Sequence, residues 1–281
     1  TYSFVDRDLD AVLAESVSEP VLLANPISQD MNVMRSTIWP GLIRTLKHNQ
    51  NRQHDRCRLF ESGLTFANKN NVIEQKVKVS CLIWGAALPE QWATSDRPAD
   101  FYDLKGDLET MIQLTHDSKA FSFQVAEHPA LQPGQTARIY RGQEAIGWLG
   151  ALHPRLMQDL DITGKVYLAE FDFASLRDAV IPVVSELSRF PSVRRDLAFI
   201  VSQETEVAEL TVVLKQEAGE VLSELTLFDL YQGQNIEKDK KSLALGLTFQ
   251  HASRTLTDLE INPIIDRCIN ALQTKFNAEL R

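Results

Sequence analysis

The chain has 281 residues, of which 44% are apolar and 24% charged, and its formal net charge is −9. The length favours two domains, and the acidic total excludes a protein that coats nucleic acid by charge alone, while leaving specific RNA contacts open. No apolar run approaches the ~20 residues of a membrane-spanning helix, and the opening Thr1-Tyr2-Ser3-Phe4-Val5-Asp6 has neither a signal core nor an initiator Met, so it reads as the interior of a longer chain.

In chain order, Val21–Asn25 is a short apolar stretch closed by Asn25-Pro26. The run from Met34 enters a helix whose apolar stripe is Leu42, Ile43 and Leu46. Residues 56–66 and 76–84 pattern as consecutive antiparallel strands with Asn68–Asn71 as their turn. A helix is expected over 103–114, a hairpin over 136–150 turning at Arg141-Gly142-Gln143, a helix from Pro154 and a strand over 165–172. This is an α+β domain on an antiparallel sheet. A boundary falls near 182–192, where Pro182 and Pro191 bracket Ser185-Glu186-Leu187-Ser188. The expected domains are therefore 1–184 and 187–281.

The second segment reads as strand 195–202, helix 206–218 with Gly219 as its cap, strand 224–231, strand 242–250, a long helix opened by the capping box Thr257-x-x-Glu260, and a short edge strand in 278–281. That order is the ferredoxin-like βαββαβ arrangement, with both helices on one face of the sheet. Side chains alternate faces along a strand. Leu197, Phe199, Val201, Thr226, Phe228, Leu230, Leu243, Leu245, Leu247 and Phe249 are expected under the helices. Ala198, Ile200, Asp229, Tyr231, Ser242, Ala244, Gly246 and Thr248 are expected on the open face. The residues alone leave two readings of that face: a plain solvated surface, or a platform on which an unstacked base meets one aromatic ring with a carboxylate and a hydroxyl beside it. Two basic clusters precede its strands, Arg189 with Arg194 and Arg195, and Lys238 with Lys240 and Lys241; as sequence they are solvated loops.

Cys57, Cys81 and Cys268 have no paired spacing, and the six histidines have no partner at ligand spacing, so neither a metal site nor an iron–sulfur cluster is expected.

Several motifs resemble one family in order along nearly the whole chain. Asn25-Pro26-Ile27-Ser28 with Met31, Met34-Arg35 and Trp39-Pro40-Gly41-Leu42 is similar to the first signature of the beta-chain core of bacterial-type phenylalanyl-tRNA synthetases. Arg58-Leu59-Phe60-Glu61-Ser62-Gly63, Phe101-Tyr102-Asp103-Leu104-Lys105-Gly106 and Ile146-Gly147-Trp148-Leu149-Gly150 through His153-Pro154 resemble later signatures. Phe190-Pro191-Ser192-Val193-Arg194-Arg195-Asp196-Leu197, Leu227-Phe228-Asp229-Leu230-Tyr231-Gln232-Gly233 and Arg254-Thr255-Leu256-Thr257-Asp258 resemble the ferredoxin-fold anticodon-binding domain.

The resemblance implies a degenerate class II synthetase-like core followed by an anticodon binder. It also implies a catalytic alpha-subunit partner in an α2β2 enzyme, phenylalanine tRNA as substrate, ATP and magnesium used by the holoenzyme, and a cytoplasmic location. The degeneracy is visible: aligned on Glu61, the ATP-binding Arg of the class II motif should stand at 59, which is Leu, and Arg58 is one residue off and faces the other side of the strand. Gly147-x-x-Gly150 lacks the spacing and arginine of the glycine-rich motif. The fragment alone is therefore expected to bind no cofactor and catalyse nothing, and segment 34–50 is the expected contact with alpha. The family implies that the first anticodon base, a guanine, meets the open sheet face at Ala198, Asp229, Tyr231 and Ser242, with Arg281 within reach. Rival readings are a single-chain organellar-type synthetase and a ferredoxin-like regulatory domain that binds a small ligand.

Overall fold

The computed structural model describes residues 1–15, 19–183 and 188–281, and it divides into two units, Thr1–Pro182 and Val183–Arg281. The expected boundary peptide at 185–187 lies outside the described residues.

In the first unit, β1 (Phe4–Val5) pairs with β2 (Val33–Met34), and α1 (Arg7–Leu13) starts at Asp6, whose carboxylate accepts from Leu9 N at 2.9 Å. Then follow α2 (Trp39–Gln50), β3 (Arg56–Lys69), β4 (Val72–Gly85), α3 (Phe101–Gln113), β5 (Phe121–Val125), β6 (Leu131–Arg141), β7 (Glu144–Leu152), α4 (Pro154–Asp159), β8 (Val166–Asp172) and α5 (Ala174–Arg177). Six strands form one antiparallel sheet in the order β3-β4-β8-β7-β6-β5. The β3–β4 connection is a two-residue turn at Asn70-Asn71, both at positive φ (52° and 63°), which Asn tolerates and a right-twisted hairpin demands. It is tighter than the four-residue turn expected from sequence, so both strands run longer. The stretch 21–25 forms only one bridge, Leu22 to Val33, and α1 and β5 had no strong sequence signal.

The sheet buries both faces. Leu82, Leu168 and Val166 pack with Ile38, Trp39, Leu42, Ile43 and Leu46 under α2. Cys81, Ile83, Tyr167, Ala169 and Phe171 pack with Leu104 and Leu108 under α3. The apolar stripe of segment 34–50 belongs to this core. Leu42, Ile43 and Leu46 are 0–3% exposed in the core of their own unit, so the apolar stripe is consumed internally and cannot also cover a partner. The sequence pattern gave the stripe but not the surface it meets.

The second unit contains β9 (Val193–Ser202), α6 (Val207–Ala218), β10 (Leu222–Tyr231), β11 (Lys240–Phe249), α7 (Asp258–Phe276) and β12 (Glu279–Leu280). The sheet order is β10-β11-β9-β12, antiparallel throughout, as a ferredoxin-like fold requires. Gly219 ends α6 at φ 68°, where a side chain would be strained. Glu260 reaches back to the Thr257 backbone N–H at 2.9 Å and is also held by Arg254; the Thr257 backbone bond leads the contacts that pull its carboxyl down to about 2. Leu197, Phe199, Val201, Leu243, Leu245, Leu247 and Phe249 pack against Leu210, Leu214, Ile261, Cys268 and Leu272, so one sheet face is buried by both helices.

Strand β10 departs from the expected phase. Leu227 pairs with Leu245 and Asp229 with Ala244, leaving Phe228 as the extra residue of a β-bulge. Residues directly opposite share a face. Thr226, opposite Gly246, is therefore on the open face, and Phe228, whose ring meets Arg194 there, is not under the helices either. Only Leu230, opposite Leu243, keeps its expected face. Counting alternation backwards from Tyr231 fails at the bulge because one extra residue inverts every side chain beyond it.

Candidate nucleic-acid interface

The open face of the second unit is ordered by two adjacent cross-strand rows. In one, Asp229 pairs with Ala244, Ala244 with Ala198, and the Ala198 carbonyl accepts from Arg281 N at 2.9 Å. In the next, Tyr231 pairs with Ser242, Ser242 with Ile200, and Ile200 with Glu279. The five residues singled out from sequence thus occupy neighbouring positions on one face, although they come from three strands and the residue that follows β12. At ~4.8 Å per strand the backbones of Asp229 and Arg281 stand roughly 14 Å apart, and the small Ala244 and Ala198 form the floor between them.

Tyr231 is 38% exposed. Its hydroxyl donates to the Gln234 carbonyl at 3.2 Å, and its ring lies over Gly233, where a Cβ would come within 2.9 Å of Cζ. The turn after β10 therefore fixes the ring and needs glycine to do so. Arg281 places its guanidinium 5.9 Å from the Tyr231 centroid, at the outer range of a cation–π contact, and Nη1 donates to Ser242 Oγ at 3.4 Å. Ser242 is 4% exposed beneath this pair. Its hydroxyl reaches a ligand only once the guanidinium swings aside. Asp229 makes no ion pair among the described residues, so its carboxylate oxygens are free acceptors.

Three of the six basic residues in the two clusters, Arg194, Arg195 and Lys240, are ion-paired. Lys240 bonds Glu279 at 2.9 Å and Glu237 at 3.4 Å, and these hydrogen bonds, Glu279 first, hold its ammonium above the ordinary lysine value. Lys241 donates to the Gln203 carbonyl at 2.8 Å, and burial pushes its pKa down. Arg195 pairs with Asp258, and Arg194 with Asp196 at 2.8 Å. The face is therefore one of localised polar contacts and flat groups rather than a broad cationic patch. Sequence reasoning missed Arg194 and Phe228 on it. The available signal was Gly246, an isolated glycine inside a strand, which marks a close approach.

In the first unit, Arg58 pairs with Asp107 on the α3 side of the sheet, whereas Leu59 packs toward α2. Glu61 takes Arg35 at 2.5 Å, and Arg35 also donates to the Leu64 carbonyl. The arginine and glutamate of this strand thus face opposite ways and serve internal pairs. A cleft of about 260 Å³ beside Trp148 has its main charges matched, Lys78 with Glu170 at 2.8 Å and Arg138 with Glu15 at 2.7 Å. His128 is wedged edge-on between Trp39 and Trp148, and burial lowers its pKa to about 4, so it is a neutral packing residue at pH 7. Among the described residues no cluster could hold a metal ion.

Two family models match the chain: "Phenylalanyl tRNA synthetase beta chain CLM domain" over residues 1–173 and "Ferredoxin-fold anticodon binding domain" over residues 188–281. Among curated relatives, the phenylalanine–tRNA ligase beta subunit of Pseudomonas fluorescens strain Pf-5 is 45% identical over 281 residues, covering 100% of this chain and 35% of the relative. Those of Nitrosococcus oceani and Coxiella burnetii are each 45% identical over 282 residues, covering 35% and 36% of their own lengths. The chain thus spans about a third of the length of these relatives. A solved structure of the pyrrolysyl-tRNA synthetase of Desulfitobacterium hafniense matches 63% of this chain and 57% of its own at 12% identity and a TM-score of 0.45, a likeness too loose to carry an argument.

Proposed function

The chain belongs to the phenylalanyl-tRNA synthetase beta-chain family, and from that premise we propose that it serves phenylalanine–tRNA ligase in two ways. Its second unit holds the anticodon of phenylalanine tRNA, and its first unit scaffolds the catalytic alpha subunit of an α2β2 enzyme in the cytoplasm. ATP and magnesium belong to the holoenzyme's reaction. With Leu59 at the ATP-arginine position and Arg58 paired to Asp107, this piece contributes no activating residue of its own. Because α2 spends its apolar stripe internally, contact with alpha uses other surface; edge strand β3, with Phe60 79% exposed, offers it.

The observation that carries the RNA reading is the convergence of Tyr231, Asp229, Ala198, Ser242 and Arg281 on two adjacent rows of a helix-free sheet face. Tyr231 stacks on the first anticodon base. Asp229 accepts from guanine N1–H and N2–H₂, a pairing adenine cannot offer because its N1 is an acceptor. Ala198 leaves room for the base, Ser242 adds a hydrogen bond, and Arg281, released from Ser242, meets phosphate or an acceptor edge. Neither the organellar single-chain reading nor the small-ligand regulatory reading gains an observation.

The test is fluorescence anisotropy of the 281-residue chain with the anticodon stem-loop of phenylalanine tRNA, at fixed salt. Changing the first anticodon base from G to A should weaken binding about tenfold or more, as expected for a buried polar mismatch. Tyr231→Ala should weaken it about five- to a hundredfold, the range of one lost base stack. Asp229→Asn should narrow the G-over-A preference. Equal affinity for the two loops would overturn the assignment.

A further inference from the structure

A second flat group stands on the same open face. Arg194 projects from β9 opposite Thr248, and its guanidinium lies over Gly246 of β11. A Cβ at Gly246 would come 2.6 Å from Nη2, 2.8 Å from Cζ and 2.9 Å from Nε. Three atoms of one planar group at nearly equal distance mean that the plane lies flat across the strand. Asp196 fixes that pose by accepting from Nε at 2.8 Å. The outward side remains open, since the Arg194 side chain is 53% exposed. Beside it the bulged Phe228 is 50% exposed, with its ring centroid 5.3 Å from Cζ of Arg194.

A bulge that turns a phenylalanine out of the core, and a glycine that lets a guanidinium lie flat, together place two planar groups in solvent. The cost is an apolar ring left half-exposed to solvent. Guanidinium planes and aromatic rings are the groups on which single-stranded bases stack. The pair sits three residues along β10 from Tyr231, roughly 10 Å at ~3.4 Å per residue. It is therefore continuous with the Tyr231 subsite but not part of it.

We propose that Arg194 and Phe228, seated by Gly246 and Asp196, form a second stacking subsite that takes a neighbouring unpaired base of the same RNA loop. This rests on the reading of the open face as an RNA surface and adds a second nucleotide to it. Asp196 and Gly246 are positioning residues, and the contact surfaces are the guanidinium and the ring.

The experiment uses the 281-residue chain and fluorescein-labelled anticodon stem-loops of phenylalanine tRNA. One loop is intact, and the others carry a single abasic site at each unpaired position other than the first anticodon base. Arg194→Ala, Phe228→Ala and Gly246→Ala should each weaken binding to the intact loop by about five- to fiftyfold. One particular abasic loop should bind all three variants and the wild type alike, because the base they stack is gone. Gly246→Ala is the informative variant: it keeps the charge and adds one methyl that the flexible end of Arg194 can evade, but it lifts the guanidinium from its flat pose. If Gly246→Ala binds as wild type while Arg194→Ala loses the same factor on every loop, Arg194 meets phosphate and the stacking subsite is wrong. If all three bind as wild type while the G-to-A change still weakens binding through Tyr231, the subsite falls and the anticodon reading stands. If wild type does not distinguish G from A, both fall.

Discussion

Lys78→Met should destabilise the first unit by about 3 kcal/mol, read by chemical denaturation followed through tryptophan fluorescence. The four tryptophans, Trp39, Trp84, Trp92 and Trp148, all lie in that unit, so the signal reports it alone. Lys78 on β4 reaches Glu170 on β8 at 2.8 Å, and the same carboxylate accepts from Thr37 Oγ1 at 2.9 Å and from Ile38 N at 2.7 Å. One buried charge thus ties the start of α2 to the centre of the sheet. Methionine keeps the apolar stem but strands the Glu170 side chain, 6% exposed, without its counter-ion. Breaking a buried pair from one side costs roughly 3–5 kcal/mol, and the 25% exposure of the Lys78 side chain places this case at the low end. The double variant with Glu170→Gln should recover part of the loss.

The pH dependence follows from the direction of the shift. Burial alone would push the Lys78 ammonium down, but Glu170 beside it holds the pKa above the ordinary 10.5. A raised folded-state pKa gives stability that is fully present below the unfolded value and fades as pH climbs through the folded one. The gap between wild type and Lys78→Met should therefore be flat from pH 6 to about 9 and close only above about 10.5. A gap that closes near neutrality would show that the pair is not the source of the loss.

Phe199→Ala should cost the second unit about 3–5 kcal/mol, the range for emptying a filled aromatic site. Phe199 is 1% exposed, lies opposite Leu243 on one side and Leu280 on the other, and packs against both helices. Cys268 is the reporter. It is buried in the same core, and burial raises its thiol pKa to about 11, so it resists alkylation until the unit opens. Alkylation of Cys268, measured by peptide mass spectrometry, should accelerate in Phe199→Ala, while Cys57 and Cys81 in the first unit should keep their wild-type rates. RNA affinity per folded molecule should hardly change, because Phe199 points to the helices while its neighbours Ala198 and Ile200 point to the open face. A large loss of affinity without faster Cys268 alkylation would contradict that separation of faces.

Strand β11 shows how much of this was legible. Leu243, Leu245, Leu247 and Phe249 alternate without a break, and the strand keeps its register against β9 over all ten residues, so its open face, Ser242 included, could be read directly. The Thr257–Glu260 cap and Gly219 were equally local, since each satisfies or relieves backbone within a few residues of itself. Strand β10 was legible only at its end. Tyr231, Leu230 and Asp229 take their expected faces, and everything before Phe228 is inverted. A bulge is a two-against-one pairing with another strand, and nothing in ELTLFDLY announces it.

The sequence by itself determined which residues share a face within an unbroken strand, where α6 ends and α7 begins, and the set of groups on which the candidate site draws, because these depend on local periodicity and backbone chemistry. Only the tertiary structure decided which rows meet. It set Arg281 beside Ser242 and Tyr231, lifted Phe228 out to Arg194, spent the stripe of α2 inside its own unit, and joined Lys78 to Glu170 across 92 residues of chain. Strand order, register and bulges are settled by contacts distant in sequence, where packing and buried-charge pairing outweigh local preference.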